Sequence, residues 1–300
     1  MPRFLYLQLH LLVVLYATTA LFGHLITLSA PALVAWRSLL AVAGGAVWVA
    51  VVMGRKLWPR PGLILPLMGI GSIVGFHWLC FFGAIKLANI SICLAGMATT
   101  SFFTAFSEPL FERRRIRLLE VALGLLVVLG IALVAGFERG RLEGLAIALL
   151  GALLASIFPV LNRQIVQRER LDPLVMMVWE MLGVCLTCLA CLPWIDGPGA
   201  YQRLLALHGL DWLWLVILAW LCTVFAYAFH IHLLKHLTAY TTNLANNFEP
   251  VYGILAAAVL FGEHRQLHPG FFLGVAAIIV ANITHPLVVI TLARRNGRLG

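Results

Sequence analysis

Ten apolar stretches of 20 to 25 residues fill almost the whole chain, and they constrain the fold more than any other feature. The hydrocarbon core of a bilayer is about 30 Å thick, so a helix needs about 20 apolar residues to cross it. Because lipid cannot hydrogen-bond a peptide backbone, continuous apolar runs of this length predict helices. The stretches are 4–28, 31–53, 62–85, 89–111, 118–137, 142–162, 172–194, 210–234, 238–261 and 268–291. We therefore predict an all-α polytopic membrane protein with ten transmembrane helices.

The composition excludes a soluble protein. Hydrophobic residues make up 62% of the chain and charged residues only 11%, whereas soluble domains average about 25% charged residues. The first apolar stretch is too long for the apolar region of a signal peptide and is interpreted as a transmembrane helix. All six cysteines fall within the predicted spans, which favours packing thiols over disulfides or metal ligands.

The net charge of +9 is distributed in a way that predicts orientation rather than nucleic-acid binding. The side that carries the N-terminus has fifteen Lys and Arg residues: Arg3, Arg55, Lys56, Arg60, Arg113, Arg114, Arg115, Arg117, Arg163, Arg168, Arg170, Lys235, Arg294, Arg295 and Arg298. The opposite side has five: Lys86, Arg139, Arg141, Arg203 and Arg265. Since cytoplasmic loops are enriched in Lys and Arg, both termini are expected in the cytoplasm.

The chain has two similar halves, predicted as five-helix repeats over 1–138 and 139–300. The matched landmarks are Trp36-Arg37 with Trp179-Glu180, Trp78 with Tyr227, and Leu110-Phe111-Glu112 with Leu260-Phe261-Gly262-Glu263. Because five is an odd number of helices, the second repeat enters the membrane upside down. Inverted repeats place a binding site near the midplane, where the halves meet.

Glu249 is the sharpest candidate for a functional side chain. It is expected near the membrane midplane, where an ionisable group is costly unless it faces a cavity or a partner. Pro250 beside it can open the helix. Glu249 is interpreted either as a carboxyl that carries a proton or meets a substrate ammonium group, or as a structural group that holds the kink.

Other polar side chains within the predicted spans are candidates for lining a cavity. Tyr240, Asn243 and Asn247 share one face of the ninth helix, with Asn246 on its flank. The alternative use of such a stripe is hydrogen bonding between helices. The further candidates are His77, Trp78, Ser101, Tyr227 and His230. For these residues, packing within the bundle is the competing interpretation.

Two charged residues at matching depths, Arg37 and Glu180, are predicted, together with Glu249, to serve in coupling or as charge partners. Arg37 can hold a substrate carboxylate or extend outward as a membrane anchor. Glu108, near the cytoplasmic end of the fourth helix, is expected to pair with the arginines at 113–115.

Several of these segments resemble the drug/metabolite transporter superfamily, in particular its ten-helix EamA-type exporters. The segments are Pro31 to Arg37, Leu87-Ala88-Asn89, Tyr240 to Asn243, Glu249-Pro250, Leu260 to Glu263, and Gly274. The resemblance implies two five-helix bundles around a central cavity. It also implies the export of small metabolites, often amino acids or their relatives.

These observations together predict a secondary active exporter, and not an enzyme, with no cofactor and no metal. Its substrate would be a small polar metabolite such as an amino acid, or a bulkier amino-acid-derived compound such as a metallophore. The chain has no ATP-binding segment, so a proton gradient or the substrate gradient would drive transport. The expected setting is a bacterial-type inner membrane, with a small-molecule substrate, lipid and protons as partners, no nucleic acid, and a monomer as a plausible state.

Two other functions stay open at this stage. A broad exporter of lipophilic cations requires an aromatic, acidic cavity around Glu249 and Trp78, with Arg37 pointing away. A membrane-embedded enzyme for lipid-linked substrates requires clustered acids at one face. The acids that qualify, Glu108, Glu112 and Glu120, are outnumbered by neighbouring arginines.

Overall fold

The structure is a computed structural model that describes residues 3–246, 248–280 and 284. Within these residues the regular structure is helical throughout. The helices are α1 (Arg3–Leu25), α2 (Ala30–Val47), α3 (Pro61–Leu87), α4 (Ile90–Met97), α5 (Thr100–Glu112), α6 (Leu118–Phe137), α7 (Leu142–Ala155), α8 (Phe158–Arg168), α9 (Pro173–Asp196), α10 (Ala200–Leu204), α11 (Asp211–Ala219), α12 (Ala226–Leu234), α13 (Ala239–Asn246), α14 (Glu249–Phe261) and α15 (Pro269–Val280). Eight helical segments of the described chain are long and apolar enough to cross a bilayer, and α14 and α15 are shorter apolar helices. The prediction of an all-α polytopic membrane protein is confirmed.

The last two predicted spans differ in how much of them can be compared. The ninth, 238–261, is divided between α13 and α14, and the tenth, 268–291, is described as α15 up to Val280. Arg294, Arg295 and Arg298, which contribute to the charge bias, lie outside the described residues. The boundary between the two repeats falls in the connection between α6 and α7, and the division into inverted repeats stays a prediction.

Three of the spans are interrupted near their middles. The first interruption separates α4 from α5 at residues 98–99, and the second separates α7 from α8 at 156–157. The third lies between the end of α13 at Asn246 and the start of α14 at Glu249. Pro159 and Pro250 lie in the first turns of α8 and α14, where the missing N–H of proline has no helical partner to lose. The interruption between α4 and α5 has no proline, and Thr99 there bonds its own chain through its hydroxyl to Gly96 O at 2.8 Å.

Glycines bring the central helices into backbone contact. A Cβ atom on Gly71 of α3 would lie 2.0 Å from Glu180 O on α9, and one on Gly183 of α9 would lie 2.3 Å from Met68 O. Neither position can hold a larger residue unless the helices separate. Gly71 and Gly183 therefore serve close packing of α3 against α9.

Two buried carboxylates, Glu108 and Glu263, bind the start of a helix in the opposite half of the chain. Glu263, which follows α14, accepts hydrogen bonds from Ile90 N and Ser91 N at 3.0 Å and from Ser91 Oγ at 2.6 Å. Glu108 on α5 accepts a bond from Ala239 N, at the start of α13, at 3.1 Å. We call Glu108 and Glu263 the capping carboxylates.

The capping carboxylates correct one detail of the sequence comparison, which matched Glu263 with Glu112. The structure gives the capping position of the first half to Glu108, one helical turn earlier. Glu112 instead pairs with Arg163. Glu108 also binds Arg114, with 2.9 Å between Oε2 and Nη2, so the expected pairing of Glu108 with the arginines at 113–115 is confirmed.

Polar contacts join the two halves at both ends of the bundle. At the end where α1 terminates, Thr27 donates to Asp211 through its backbone N–H at 2.9 Å and through its hydroxyl at 2.6 Å. At the opposite end Arg55 pairs with Asp172. Polar contacts between the halves are therefore present at both ends of the bundle.

Candidate functional site

A cavity lies where the three interrupted spans meet, with about 90 Å³ open to the centres of water-sized molecules. The half-helix ends at the interruptions contribute to its wall: Met97 and Thr100, Ala155 and Phe158, and Asn246 and Glu249. The other lining residues are Tyr16, Thr19, Arg37, His77, Trp78, Phe81, Cys222, Tyr227, His230, Asn243 and Pro250. Since a single water needs about 10–15 Å³ of such volume, the cavity holds several waters or a small polar molecule.

Arg37 is the cation of this cavity and is only 2% exposed. Its Nε donates to Thr223 Oγ1 at 2.7 Å, and its Nη2 donates to Cys222 O at 3.0 Å. Its Cζ lies 3.8 Å from the ring centroid of Trp78, a cation–π contact. The side chain is therefore held inside the bundle, and the alternative in which Arg37 extends outward as an anchor is wrong.

A π-helical turn between α11 and α12, Trp220–Phe225, supplies both acceptors for Arg37. The wider turn leaves Cys222 O free to accept from Arg37. Thr223 donates its hydroxyl to Leu218 O, five residues earlier, at 2.9 Å, so its oxygen is oriented toward Arg37. Such turns within α-helices are frequent at functional sites.

Glu249 is the acid of the cavity. It is the first residue of α14, directly before Pro250, and its partly buried side chain lines the cavity wall. Within the described part of the chain no side chain or backbone group makes a hydrogen bond or ion pair with this carboxyl, and Arg37 is not within the 4.0 Å of an ion pair. Arg37 and Glu249 thus supply a guanidinium and a carboxyl group that do not pair with each other.

Aromatic side chains from both halves form much of the wall. The rings of Trp78 and Tyr227, which the sequence comparison matched, lie edge to face with centroids 6.3 Å apart. The ring of Phe158 lies 6.2 Å from that of Tyr227 and 5.6 Å from that of His77. His77 Nδ1 bonds Gly151 O at 2.9 Å, which fixes the orientation of its ring.

Three lining residues each have a buried polar atom with no hydrogen-bond partner among the described residues. These atoms are Arg37 Nη1, His230 Nε2 and Asn246 Oδ1. Buried polar atoms in proteins are almost always paired with protein or with ordered water. A donor and an acceptor that both border one cavity indicate that its contents complete these bonds.

Asn243 has a different position from Asn246. Its side-chain nitrogen donates to Thr104 Oγ1 at 2.9 Å, and Ala155 O accepts at 3.5 Å. Asn243 therefore connects α13 to α5 and α7 while it also lines the cavity. Both interpretations of the polar stripe, hydrogen bonding between helices and cavity lining, apply to this residue.

Glu180 lies behind the wall rather than in it. Its side chain is 0% exposed, and its Oε2 accepts bonds from Tyr227 Oη at 2.6 Å and from Asn162 Nδ2 at 3.1 Å. Tyr227 is thus the only described side chain that both borders the cavity and contacts Glu180 through a hydrogen bond.

The structure brings together most of the predicted site residues but not all of them. His77, Trp78, Tyr227, His230, Asn243, Asn246, Glu249 and Arg37 line the cavity. Ser101 and Tyr240 are buried on α5 and α13 but are not part of its wall. Asn247 lies outside the described residues. Whether the lining residues bind substrate stays a prediction.

The sequence analysis missed Tyr16 and Thr19, which line the cavity from α1. Two polar residues three positions apart in an otherwise apolar span form one helix face, and this signal was available. Met97, Thr100 and Ala155 had no such signal, because they reach the cavity only through the helix interruptions. The described residues contain no group of three or more His, Cys, Asp or Glu side chains arranged to hold a metal ion.

Comparison with known proteins supports a transporter architecture. Residues 142–284 match the EamA-like transporter family. A solved crystal structure of a protein superposes with a TM-score of 0.66 over 97% of this chain and 97% of that chain, at 18% sequence identity, which shows a shared fold. A comparison with curated proteins finds no match.

Proposed function

We propose that this chain is a secondary active exporter of a small zwitterionic metabolite. The proposal is supported by the match of residues 142–284 to the EamA-like transporter family, a family of membrane transporters of the drug/metabolite type. The substrate class is that of an amino acid or a close derivative. It would leave the cytoplasm by alternating access, with opposite ends of the bundle opening in turn around the cavity.

One observation supports this substrate class above all others: the cavity contains one cation and one acid that do not pair with each other. Arg37 Nη1 has no partner among the described residues and can donate to a substrate carboxylate. Glu249 can accept from a substrate ammonium group. A zwitterion satisfies both at once, whereas a singly charged molecule leaves one charge buried without a counterion, which is costly in a low-dielectric setting.

The size and the other lining groups agree with a small polar molecule. A cavity with about 90 Å³ open to the centres of water-sized molecules favours an amino acid over a bulky metallophore as the substrate. His230 and Asn246 add hydrogen-bonding atoms, and the ring of Trp78 covers an apolar part of the substrate.

The alternative exporter of lipophilic cations is less well supported. The aromatic wall and Glu249 suit such a ligand, but that function required Arg37 to point away from the cavity. Arg37 lines the cavity instead, so a bound cation would meet a like charge. A panel of toxic quaternary amines tested on an overexpressing strain separates the two functions.

A membrane-embedded enzyme is also less well supported, because its candidate acids are engaged in ion pairs. Glu108 and Glu120 both bind Arg114, and Glu112 binds Arg163. None of these three carboxylates lines the cavity.

We propose that the protein is not an enzyme and works as a monomer in a bacterial-type inner membrane. Both termini would lie in the cytoplasm, and protons or the substrate gradient would supply the driving force.

The substrate is found first, by profiling metabolites in the spent medium of deletion and overexpression strains. The identified compound is then loaded into proteoliposomes, and its efflux is compared between the wild type, Glu249→Gln and Glu143→Gln. Glu143 is an exposed residue at the start of α7, so its variant controls for the loss of a carboxyl in general. We expect Glu249→Gln to lose efflux while the protein stays folded in the membrane. Unchanged pH-dependent efflux in Glu249→Gln would contradict the assigned role.

A further inference from the structure

Glu180, Asn162 and Tyr227 form a buried cluster on the far side of the cavity wall, which we call the acid cluster. All three side chains are at least nine-tenths buried. Asn162 Nδ2 lies 3.1 Å from Glu180 Oε2 and 3.2 Å from Tyr227 Oη, and Tyr227 Oη lies 2.6 Å from the same carboxylate oxygen. Every hydrogen bond within the cluster therefore converges on one side of the Glu180 carboxyl and on Tyr227.

The acid cluster has no positive charge to compensate an ionised Glu180. The titratable side chains on α9 itself and on the elements packed against it are Cys185, Cys188, Cys191 and Asp196 on α9, Arg37 on α2, His77, Cys80 and Lys86 on α3, Arg163 and Arg168 on α8, Tyr201 and Arg203 on α10, and Tyr227, His230 and His232 on α12. Of these, Tyr227 alone is hydrogen-bonded to Glu180, and no described cation is within ion-pair distance of it. A carboxylate buried in this way is stable when it is protonated or when it receives a cation.

Two buried oxygen atoms of the cluster accept no hydrogen bond from the described residues. Glu180 Oε1 and Asn162 Oδ1 are both buried and have no hydrogen-bond partner among the described residues. Both atoms are acceptors if Glu180 is ionised. Protonation of the carboxyl turns one of its oxygens into a donor and removes the buried charge.

We propose that the acid cluster is the proton-binding site that drives transport, separate from the Arg37 and Glu249 pair that binds substrate. This inference rests on the proposed export function and assigns the coupling site within it. Tyr227 is the route for the proton, because it borders the cavity and donates to Glu180. A hydronium ion in the cavity gives a proton to Tyr227 Oη while the phenol proton passes to Glu180 Oε2. Tyr227 ends neutral, Glu180 ends as a neutral acid, and the hydronium becomes water.

Ring contacts also connect the acid cluster to Arg37, the proposed binding group for the substrate carboxylate. The Tyr227 ring lies 6.3 Å from the Trp78 ring, whose centroid lies 3.8 Å from Arg37 Cζ. The four side chains thus form a row from Glu180 through Tyr227 and Trp78 to Arg37. Loss of charge at Glu180 changes the bond to Tyr227 and so the ring packing against Arg37, which couples proton binding to the hold on a substrate carboxylate.

The test uses substrate-free, full-length protein in lipid and measures the infrared C=O stretching band of protonated carboxyls while the pH is changed. We expect the wild type to show a titrating carboxyl band that disappears in Glu180→Gln and persists in the exposed control Glu143→Gln. A band that persists unchanged in Glu180→Gln would overturn the proposal. Because no substrate is present, this result does not depend on whether the exported compound is a zwitterion.

Tyr227→Phe tests the route and remains informative if Glu180→Gln does not fold. This variant keeps the ring against Trp78 and removes only the hydroxyl. Proton uptake after a rapid pH drop, followed with a pH-sensitive dye, is expected to slow by at least about tenfold, since a positioned proton relay contributes that much or more to transfer rates. An unchanged rate of uptake would overturn the relay through Tyr227. Failure of export with normal proton uptake would instead count against the proposed function.

Discussion

Glu263 and Arg37 are both almost fully buried charged residues, yet their bonding differs. Both oxygens of Glu263 accept bonds from the start of α4, three in all, from Ile90 N, Ser91 N and Ser91 Oγ. Arg37 donates to Thr223 and Cys222 but leaves Nη1 without a described partner. The hydrogen bonds of Glu263 are thus completed within the protein, whereas Arg37 Nη1 still lacks an acceptor among the described residues.

The same difference separates the ends of the bundle from its centre. The capping carboxylates, Glu108 and Glu263, satisfy helix starts in the opposite half, and no substrate is needed to explain them. Arg37, His230 and Asn246 line the cavity, and each has a buried polar atom with no hydrogen-bond partner among the described residues. Buried polar groups that are fully bonded stabilise the fold, whereas those with unfilled positions indicate a ligand. The predictions below test this distinction.

The largest expected effect is a loss of stability in Glu263→Ala. Removal of this carboxylate leaves the buried N–H groups of Ile90 and Ser91 without a partner, at about 1–3 kcal/mol for each, so a total of roughly 2–6 kcal/mol is expected. Thermal unfolding in detergent measures it, with Glu143→Ala as the control at an exposed carboxyl. Transport per folded molecule is expected to stay unchanged. A Glu263→Ala protein that keeps its stability but no longer transports would contradict a purely structural role for Glu263.

Arg37→Lys is expected to act on transport and not on folding. Lysine keeps the charge but loses the planar group that lies over Trp78 and bonds Thr223, so it is not a conservative change here. Efflux of the identified substrate should fall by about 100-fold, equivalent to about 2.7 kcal/mol, with an unfolding temperature close to that of the wild type. Equal losses of efflux and stability would show that Arg37 is structural.

Gly71→Ala tests whether the centre depends on close backbone packing. The added Cβ would lie 2.0 Å from Glu180 O, so α3 and α9 must separate. A destabilisation of about 1–3 kcal/mol is expected from such overpacking. Gly69→Ala is the matched control, because nothing lies within 4 Å of its Cβ position. Equal unfolding temperatures for the two variants would show that α3 and α9 separate without penalty.

The smallest effect is expected for Arg60→Ala. Arg60 lies 3.6 Å from Glu169 in an ion pair whose arginine side chain is 84% exposed. Exposed pairs contribute roughly 0–1 kcal/mol, so the unfolding temperature should hardly change. A large fall in the unfolding temperature would show that this exposed ion pair stabilises the protein as strongly as the buried contacts of Glu263 do.

The fold was predictable because hydropathy over about 20 residues depends on composition alone. The interruption between α4 and α5 was not, since no proline marks residues 98–99. The interruption before Glu249 was partly predictable from Pro250. The sequence comparison matched Glu263 with Glu112, one helical turn after Glu108, the residue that takes the capping position. Similarity between Leu-Phe-Glu and Leu-Phe-Gly-Glu does not show which carboxyl reaches the opposite half.

The candidate site was predictable where an ionisable or polar residue stood in an apolar span, as for Glu249 and His77. The inward direction of Arg37 was not, because it depends on carbonyl and hydroxyl groups that the π-helical turn at Trp220–Phe225 supplies. Sequence periodicity placed Tyr240 and Asn243 on one face, yet only Asn243 lines the cavity. Because a helix face is longer than the part of it that borders a cavity, periodicity alone cannot show which residues of the face line the cavity.

The interrupted spans affect how the bundle can move. In the two whose residues are all described, short helical rods are joined at residues 98–99 and 156–157, and α4, with eight residues, is only about 12 Å long. A rod of this length can tilt about its joint while the rod beyond the joint keeps its neighbours. Under the alternating access that we propose, such a tilt would widen an entrance on one side of the cavity without repacking the whole bundle.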